Sequence, residues 1–158
     1  MTPFHTPLPL VDELTDLGID YELMPHTRTT TAAAEARALR LAPDQVAKTI
    51  VLSTRRGHAR ALIGAADRLD LDKVRKLLGD ETAELSTEHA LAEDYPEFEL
   101  GAVPPVGGVR HDRLVVDMRV AACDTVVFEA GAHDCSLRVS ADDLVTSEGA
   151  LVGDICAD

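Results

Sequence analysis

Aromatic residues are scarce in this chain of 158 residues, which has no tryptophan, two tyrosines and three phenylalanines. A hydrophobic core formed by this sequence must therefore be mainly aliphatic. No apolar run approaches the roughly 20 residues that a membrane-spanning helix requires. The opening stretch, MTPFHTPLPLVDEL, also lacks the charged and then apolar pattern of a signal peptide. We therefore expect a cytoplasmic protein with no membrane partner.

Several common chemical motifs are missing as well. Neither GxGxxG nor GxxxxGK[ST] occurs, which argues against a nucleotide-hydrolysing enzyme. There is no GxSxG elbow for a serine nucleophile, and the six histidines form no HExxH or similar cluster. Cys123, Cys135 and Cys156 fit neither a CxxC redox pair nor a zinc site, and we expect all three to be buried as small apolar residues. The sequence thus predicts no metal and no cofactor.

The length and composition favour a folded protein with one domain spanning residues 1–158. A chain of this length can bury a core without disulfides or a structural metal. Hydrophobic residues make up 46% of the chain and charged residues 27%, proportions typical of folded rather than disordered proteins.

The net charge of −13 argues against a nucleic-acid partner, because phosphate binding needs clustered lysine and arginine. The charge is unevenly distributed, however. Residues 26–78 contain eleven basic and five acidic residues, a balance of +6, whereas the rest of the chain carries −19. This segment is either a solvated charged surface or a surface that accepts a polyanionic ligand. In the second case its basic residues should gather around the ligand cavity.

Hydrophobic periodicity and turn residues predict five helices and seven strands. The predicted helices cover residues 8–17, 31–39, 69–79, 86–95 and 141–149. The predicted strands cover residues 19–24, 46–53, 59–65, 113–118, 125–131, 135–140 and 150–156. Some strands form hairpins, and the helices are interspersed without regular βαβ alternation. This pattern predicts a mixed α/β (α+β) fold in which helices surround a largely antiparallel sheet or barrel.

Lysine is rare here, since only three of the fifteen basic residues are lysines. One of them, Lys48, lies in QVAKTIVL at the start of a β-prone apolar run. Strand alternation places Lys48 on the same face as Ile50 and Leu52, and Thr49 on the other face. An unpaired ammonium is costly to bury, so two interpretations stay open. Lys48 either packs its stem and extends its charge to the surface, or stands at the mouth of a pocket and binds a carbonyl or phosphate oxygen.

A second unusual stretch is ELGAVPPVGG, residues 99–108. Its two prolines and three glycines cannot continue a helix or a central strand. The stretch is either a plain connector or a stiff loop whose glycines let a ligand approach the main chain and its N–H groups. Neither this loop nor Lys48 is specific by itself.

In this order along the chain, these stretches resemble the YbaK and prolyl-tRNA-synthetase-associated editing-domain family. The resemblance runs through PHTRTTTAAAEARALRLAPDQVAKTIVL, AADRLDLDKVRKLLG, LSTEHALAEDYPEFELGAVPPVG and EAGAHDCSLRVSADDLV. It extends from about Leu10 to Ile155. Its most specific parts are VAKT and the downstream GxxxP, here Gly101 to Pro105.

The resemblance implies a free-standing deacylase that hydrolyses the ester bond of mischarged aminoacyl-tRNA, with proline-specific tRNA or a related tRNA as the substrate. The implied partners are the acceptor end of aminoacyl-tRNA and an aminoacyl-tRNA synthetase, and not DNA. By the same resemblance, Lys48 is the essential lysine that contacts the acylated terminal adenosine. Thr49 lies beside it and is also an implied site residue. The implied positioning loop consists of Gly101, Ala102, Val103, Pro104 and Pro105. Gly131, His133 and Ser136 are implied to lie near the pocket, and the role of His26 stays open.

Ester hydrolysis builds negative charge on a carbonyl oxygen, which a fixed ammonium or backbone N–H groups can stabilise. Water is one candidate attacker, and the resemblance adds a hydroxyl or thiol of the substrate. Two other functions stay open. A non-catalytic module would bind the tRNA 3′ end or a synthetase without ester loss. A small-molecule hydrolase or binder would act on a free aminoacyl ester without the tRNA.

Overall fold

The structure, a computed structural model, describes residues 8–108 and 111–158. Within these ranges the chain forms six α-helices, one short 3-10 helix and eight strands. The helices are α1 (Leu8–Asp16), α2 (Ala32–Leu39), α3 (Leu71–Leu78), α4 (Glu88–Asp94), α5 (Met118–Ala121) and α6 (Ala141–Glu148), and the 3-10 helix is Pro43–Gln45. The strands are β1 (Tyr21–Pro25), β2 (Ala47–Thr54), β3 (Gly57–Gly64), β4 (Glu84–Leu85), β5 (Arg113–Asp117), β6 (Thr125–Ala132), β7 (Cys135–Ser140) and β8 (Leu151–Gly153). None of the described helices has both the length and the apolar character needed to cross a membrane.

Side-chain caps fix the starts of several helices that the sequence predicts. The hydroxyl groups of Thr31 and Thr87 accept backbone hydrogen bonds at the starts of α2 and α4. Three short elements, α5, β4 and the 3-10 helix, were not predicted. Asp117 ends β5, and its carboxylate caps α5. The predicted strand 113–118 is therefore one residue too long, because Met118 already belongs to the helix.

The strands form two sheets. β1, β7 and β6 make a three-stranded antiparallel sheet, and β4, β2, β3, β5 and β8 make a five-stranded sheet in that order. Four of the six strand pairs are antiparallel, but β5 runs parallel to both β3 and β8. The connections within these two parallel pairs contain helices, as parallel neighbours require. The mixed α/β fold is confirmed, with two parallel pairs in an otherwise antiparallel arrangement.

The β2–β3 hairpin carries Lys48 and separates two regions of the core. Its register pairs Lys48 with Ile63. Leu52 and Ile63 pack against Val74 of α3, whereas Leu62 belongs to the cluster that contains α1 and β6 residues. The alternation of side chains across the hairpin therefore buries both of its faces, which fixes the backbone on which Lys48 stands.

The core is aliphatic, as the composition predicts. The largest cluster combines side chains from both sheets with others from α1 and α6, and Phe128 is its buried aromatic residue. Cys135 and Cys156 are buried, as expected. The expectation is wrong for Cys123, which is only half-buried because it follows the short helix α5 at the surface.

Candidate functional site

A pocket of about 330 Å³ lies where several parts of the chain meet. They are the start of α2 with the residues before it, the start of β2, the residue after β3, the loop 99–108 and β6. The lining residues are Thr30, Thr31, Ala32, Ala33, Glu35, Ala47, Lys48, Thr49, Ala65, Gly101, Val103 and Glu129. Alanine and threonine dominate the walls. The distinctive chemical groups are therefore one ammonium and two carboxyl groups.

Lys48 is the only basic residue among the described residues that line this pocket. Its side chain is half-buried, and in the described part of the chain it forms neither a hydrogen bond nor an ion pair. Its neighbour Ala47 and its cross-strand partner Ile63 are both buried, so the strand is held in place. The ammonium is thus a positive charge on a rigid strand, available to a ligand. This position is the one required by the pocket interpretation of Lys48.

Glu99 fastens the loop 99–108 to the β6–β7 hairpin. Its backbone N–H donates to the Gly131 carbonyl oxygen at 2.8 Å. Its carboxylate accepts a hydrogen bond from the His133 backbone N–H at 2.6 Å and another from Arg28 at 2.8 Å. His133 Nε2 donates to the carbonyl oxygen of Leu100 at 2.7 Å. The start of the loop is therefore held by four hydrogen bonds.

Gly101 follows directly and forms part of the pocket surface. Its φ of +85° lies in the region that favours glycine, and it is exposed. A Cβ atom at this position would lie 3.5 Å from the His133 ring. Because glycine has no side chain, a ligand in the pocket can approach this main chain closely.

Arg60 holds the far end of the same loop. This arginine is 1% exposed, and its guanidinium donates to the carbonyl oxygens of Pro104 at 2.9 Å and Gly107 at 2.8 Å. Its Nε donates to Asp112 at 2.9 Å, and the Tyr95 ring lies 5.0 Å away. A planar guanidinium can donate to several fixed acceptors at once, so Arg60 holds the loop in place.

A buried hydrogen-bonded chain runs from His26 through Ser136 to Glu35. The exposed fractions of these residues are 5%, 0% and 0%. His26 Nε2 lies 2.9 Å from Ser136 Oγ, and Ser136 Oγ lies 2.5 Å from Glu35 Oε2. His26 Nδ1 lies 2.7 Å from the Thr27 carbonyl oxygen, which can only accept. Of these residues, Glu35 alone lines the pocket.

The donors and acceptors of these three side chains allow two hydrogen-bond arrangements. In the first, a protonated Glu35 donates to Ser136 Oγ, and the Ser136 hydroxyl donates to His26 Nε2. In the second, Glu35 is ionised, the Ser136 hydroxyl donates to the carboxylate, and His26 Nε2 donates to Ser136 Oγ. Burial raises the pKa of Glu35 to about 8, and the hydrogen bond from Ser136 opposes this shift in part. The Glu35 carboxyl is therefore mainly protonated near neutral pH in the free protein.

Glu129 is the second carboxyl group in the pocket lining. Its Oε2 lies 2.7 Å from His133 Nδ1. Burial raises the pKa of Glu129 to about 7, whereas the His133 side chain lowers it. The His133 ring thus connects two parts of the site. One of its nitrogens contacts Glu129 in the pocket wall, and the other donates to Leu100 in the loop.

The structure brings only part of the predicted residue set to the pocket surface. Lys48, Thr49, Gly101 and Val103 line it together, although about fifty residues separate Lys48 from Gly101 in the sequence. The others stand behind the wall or elsewhere. Three predicted residues lie behind the pocket wall and support it, namely His133, Ser136 and His26. Ala102 and Pro104 are buried within the loop. The Gly131 carbonyl oxygen accepts the hydrogen bond from the Glu99 backbone N–H. Pro105 instead lines a small separate pocket with Glu13, Arg60 and His111.

Sequence reasoning missed Glu35, Glu129 and Arg60. A signal for Glu35 was present in AAAEARAL, because Ala32, Glu35, Ala36 and Leu39 fall on one helical face. The three apolar members of this face do pack against one cluster, and Glu35 interrupts it with a carboxyl group. No comparable pattern identifies Arg60, because its partners come from a distant loop.

Lys48 is the one basic residue of the segment 26–78 in the described pocket lining, so the lining itself does not show the gathering that we expected from the number of basic residues. Arg55 and Arg56 follow β2 at the end opposite to Lys48. Arg60 is buried under the loop, and Lys73 donates to Asp154, Asp158 and the Cys156 carbonyl oxygen. Arg60 and Lys73 thus satisfy acceptors within the protein, and Arg55 and Arg56 are not in the pocket lining.

A second concave surface, a groove of about 240 Å³, adjoins the pocket. The two share Thr49, Gly101 and Val103. The remaining groove residues are Ile50, Val51, Leu85, Ser86 and Leu91, so its surface is mainly apolar. A ligand with two parts can therefore occupy both depressions across the same strand and loop.

One further cluster has the composition of a metal site. Ligand atoms of Asp67, Asp117 and Cys156 lie within 4.8 Å of one another. The Asp117 carboxylate, however, already accepts hydrogen bonds from the Ile155 and Arg119 backbone N–H groups, and the Arg119 guanidinium lies 3.2 Å from it. An adjacent cation and these structural contacts account for Asp117 without a metal ion.

Comparison with known proteins places this geometry in a family. The chain resembles the crystal structure of the hypothetical protein APE2540 with a TM-score of 0.85 and 25% identity, over 94% of this chain and 99% of that one. It also resembles the structure of a proposed trans-editing enzyme for prolyl tRNA synthetase, with a TM-score of 0.83 and 24% identity over 98% of this chain and 99% of that one. No curated protein sequence matches the chain. The aminoacyl-tRNA editing domain matches residues 26–146, so the chain belongs to the aminoacyl-tRNA editing domain family.

Proposed function

We propose that this protein is a deacylase that hydrolyses the ester bond of mischarged aminoacyl-tRNA, acting on proline-specific or a related tRNA. The observation that supports this most directly is the pocket shared by Lys48 and Gly101. Family membership supplies the substrate class, and the pocket supplies a fixed ammonium beside an exposed main-chain segment.

In this proposal Lys48 stabilises the negative charge that develops on the ester carbonyl oxygen. Its ammonium has no ion-pair partner in the described part of the chain, so none must be displaced when substrate binds. A charge fixed in advance stabilises a transition state without the cost of reorganisation. Gly101 gives the acylated ribose close access to the main chain, and the apolar groove accepts the terminal adenine.

Water is the attacking nucleophile in this proposal. The described lining contains no serine, cysteine or histidine. Glu129 takes the proton from water, because it lines the pocket and its pKa of about 7 lies near the working pH. As Glu129 takes the proton, the water oxygen bonds to the ester carbonyl carbon. The bond from this carbon to the ribose oxygen then breaks, and the proton on Glu129 passes to the ribose oxygen, which yields the free amino acid and the uncharged tRNA.

The deciding experiment is single-turnover deacylation by Lys48→Ala and Lys48→Arg across a panel of mischarged tRNAs. Loss of one preorganised donor should lower the rate by about 100-fold or more. Lys48→Arg should also be impaired, because a planar guanidinium cannot take the same point position. Lys76, exposed on α3, provides the matched control, and Lys76→Ala should keep the wild-type rate.

Melting curves of all variants establish that they are folded. A wild-type rate for a folded Lys48→Ala would contradict the mechanism. Tight binding of aminoacyl-tRNA without ester loss by the wild type would instead identify a binding module. Turnover of a free aminoacyl ester as fast as that of the charged tRNA would identify a small-molecule hydrolase.

A further inference from the structure

The Glu35 carboxyl group is buried at the pocket wall and has one oxygen without a partner. Glu35 is 0% exposed, yet its side chain lines the pocket beside Ala32 and Ala33. Its Oε2 contacts Ser136 Oγ at 2.5 Å. Its Oε1 is buried and forms no hydrogen bond with any described residue.

An orphaned carboxyl oxygen is a costly feature in a protein interior. A buried polar group without a hydrogen bond has lost its contacts with water and gained none in return, which destabilises the fold. The Oε2 atom, by contrast, is held through the buried chain of Ser136 and His26, which gives the carboxyl a fixed orientation. The side chain is therefore positioned by one oxygen, while the other is buried at the pocket wall without a partner among the described residues.

The chemistry of the pocket indicates which ligand group this oxygen accepts. The free protein holds this carboxyl in its protonated form near neutral pH. A cation that donates hydrogen bonds to Oε1 stabilises the carboxylate instead, so the carboxyl releases its proton to solvent as such a ligand binds. An aminoacyl ester has one cationic group regardless of its side chain, the α-ammonium, and this group lies one carbon from the ester carbonyl. Lys48, the only cation of the described lining, repels an ammonium and attracts the carbonyl oxygen. Lys48 and the Glu35 carboxylate that forms on binding therefore orient such a ligand.

We infer that Glu35 Oε1 binds the α-ammonium of the aminoacyl group, so that the pocket selects aminoacyl esters with a free, charged amino group. This inference rests on the proposed function for the identity of the ligand. Esters that lack this charge, such as peptidyl, N-acylated or hydroxyacyl esters, bind more weakly because they offer Glu35 at most a neutral hydrogen bond and no ion pair. Glu35 would then be the residue that distinguishes an aminoacyl group from other acyl groups of the same size.

Binding of two non-hydrolysable adenosine derivatives tests the inference by calorimetry. One carries an alanyl group on a 3′-amide, and the other a lactyl group, which replaces the ammonium by a hydroxyl of similar size. The wild type should bind the alanyl compound at least about 10-fold more tightly, the scale of a hydrogen bond to a charged group. Glu35→Gln should lose this preference and bind the lactyl compound as the wild type does. Glu35→Asp keeps the charge and should keep a reduced preference.

Glu129→Gln is the matched control, because it removes the other carboxyl of the same pocket. It should keep the preference for the alanyl compound. The inference is overturned if the wild type binds both compounds equally or binds neither. It is also overturned if a folded Glu35→Gln retains the preference, or if Glu129→Gln rather than Glu35→Gln abolishes it. If Glu35→Gln does not fold, a preference that Glu35→Asp leaves unchanged overturns it as well.

Failure of the proposed function gives a different result. If the protein binds the alanyl compound in a Glu35-dependent manner but hydrolyses no mischarged tRNA, it is a binding module that recognises the amino group. A protein that deacylates aminoacyl-tRNA and lactyl-tRNA equally would be a deacylase without the Glu35 contact. The binding and turnover measurements therefore separate the two claims.

Discussion

At the scale of single residues, Glu129 and Glu35 are two carboxyl groups in one pocket with different neighbours. Glu129 contacts the imidazole of His133, and Glu35 contacts the hydroxyl of Ser136. Burial raises the pKa of Glu129 to about 7 and that of Glu35 to about 8. The group with the lower pKa is ionised first as the pH rises, and it is thus the better proton acceptor at neutral pH.

This difference predicts the pH profile of deacylation. The wild-type single-turnover rate, corrected for uncatalysed hydrolysis, should rise from about pH 6, reach half of its maximum near pH 7 and level off above about pH 8, as Glu129 loses its proton. Glu129→Gln should be slower by on the order of 100-fold and lose this rise, because an amide cannot accept the proton. The groups that act on Glu129 are His133, Glu99 and Arg28. An unchanged profile in Glu129→Gln would assign the proton transfer to another group.

Glu35 predicts a second pH effect, on stability. Its folded pKa of about 8 lies above the value of about 4.3 for an unfolded chain, so between these values the folded protein holds a proton that the unfolded chain has lost. The free energy of unfolding should therefore fall as the pH rises through this window. Glu35→Gln lacks the titration. The wild-type stability should decline relative to this variant by at most about 1.4 kcal/mol per pH unit.

Urea unfolding at pH 5, 6, 7 and 8 measures this difference. Glu84, exposed on β4, provides the control, and the stability of Glu84→Gln should run parallel to that of the wild type. Parallel curves for the wild type and Glu35→Gln would show that the carboxyl is not held protonated by the fold.

At the scale of elements, the loop 99–108 is held by hydrogen bonds from Arg60, a residue of strand β3. Arg60 on β3 and Asp112 form a pair whose side chains are 2% and 6% exposed, and the guanidinium also binds the loop carbonyl oxygens. Replacing Arg60 by lysine keeps a charge but cannot reproduce this planar set of donors. Disrupting a buried pair of this kind costs about 3–5 kcal/mol.

We therefore expect Arg60→Lys to lower the unfolding free energy by several kcal/mol and to weaken substrate binding more than it slows the chemical step. Hydrogen exchange should accelerate in residues 99–108. Arg55→Lys, in the exposed turn between β2 and β3, is the control and should change neither. If hydrogen exchange in the loop is unchanged in a folded Arg60→Lys variant, Arg60 does not hold the loop as we expect.

Local chemistry explains which elements the sequence predicts. The helix starts at Thr31 and Thr87 and the β2–β3 hairpin follow from caps, turns and periodicity within short stretches. Lys48 stands out because it interrupts an apolar strand, and Gly101 because its loop cannot be regular structure. Arg60 and Glu129 carry no such local mark, since their partners at Pro104 and His133 are set by the tertiary fold. Residues whose role depends on distant partners are the ones that sequence reasoning misses.

At the scale of the whole molecule, the charge distribution is unusual for a protein proposed to bind tRNA. The net charge is −13, and the pocket lining holds two carboxyl groups and one ammonium. Long-range electrostatics therefore repel a polyanion, while Lys48 attracts its reacting end. Salt screens both interactions, but with opposite effects on binding. Recognition must accordingly depend on the short acylated terminus rather than on phosphates along the tRNA.

This balance predicts a weak salt dependence. A protein that neutralises six to ten phosphates loses about 10³–10⁵ in affinity between 50 and 200 mM salt. Here, binding of a non-hydrolysable aminoacyl-tRNA should change by less than about 10-fold over this range, because few phosphates are contacted. Binding of the alanyl adenosine derivative, which has no phosphate, should change by a similar factor. The measurement is the dissociation constant of each ligand at four salt concentrations. A steep loss for the tRNA alone would show that the arginines outside the pocket bind its backbone, because only the tRNA offers phosphates to them.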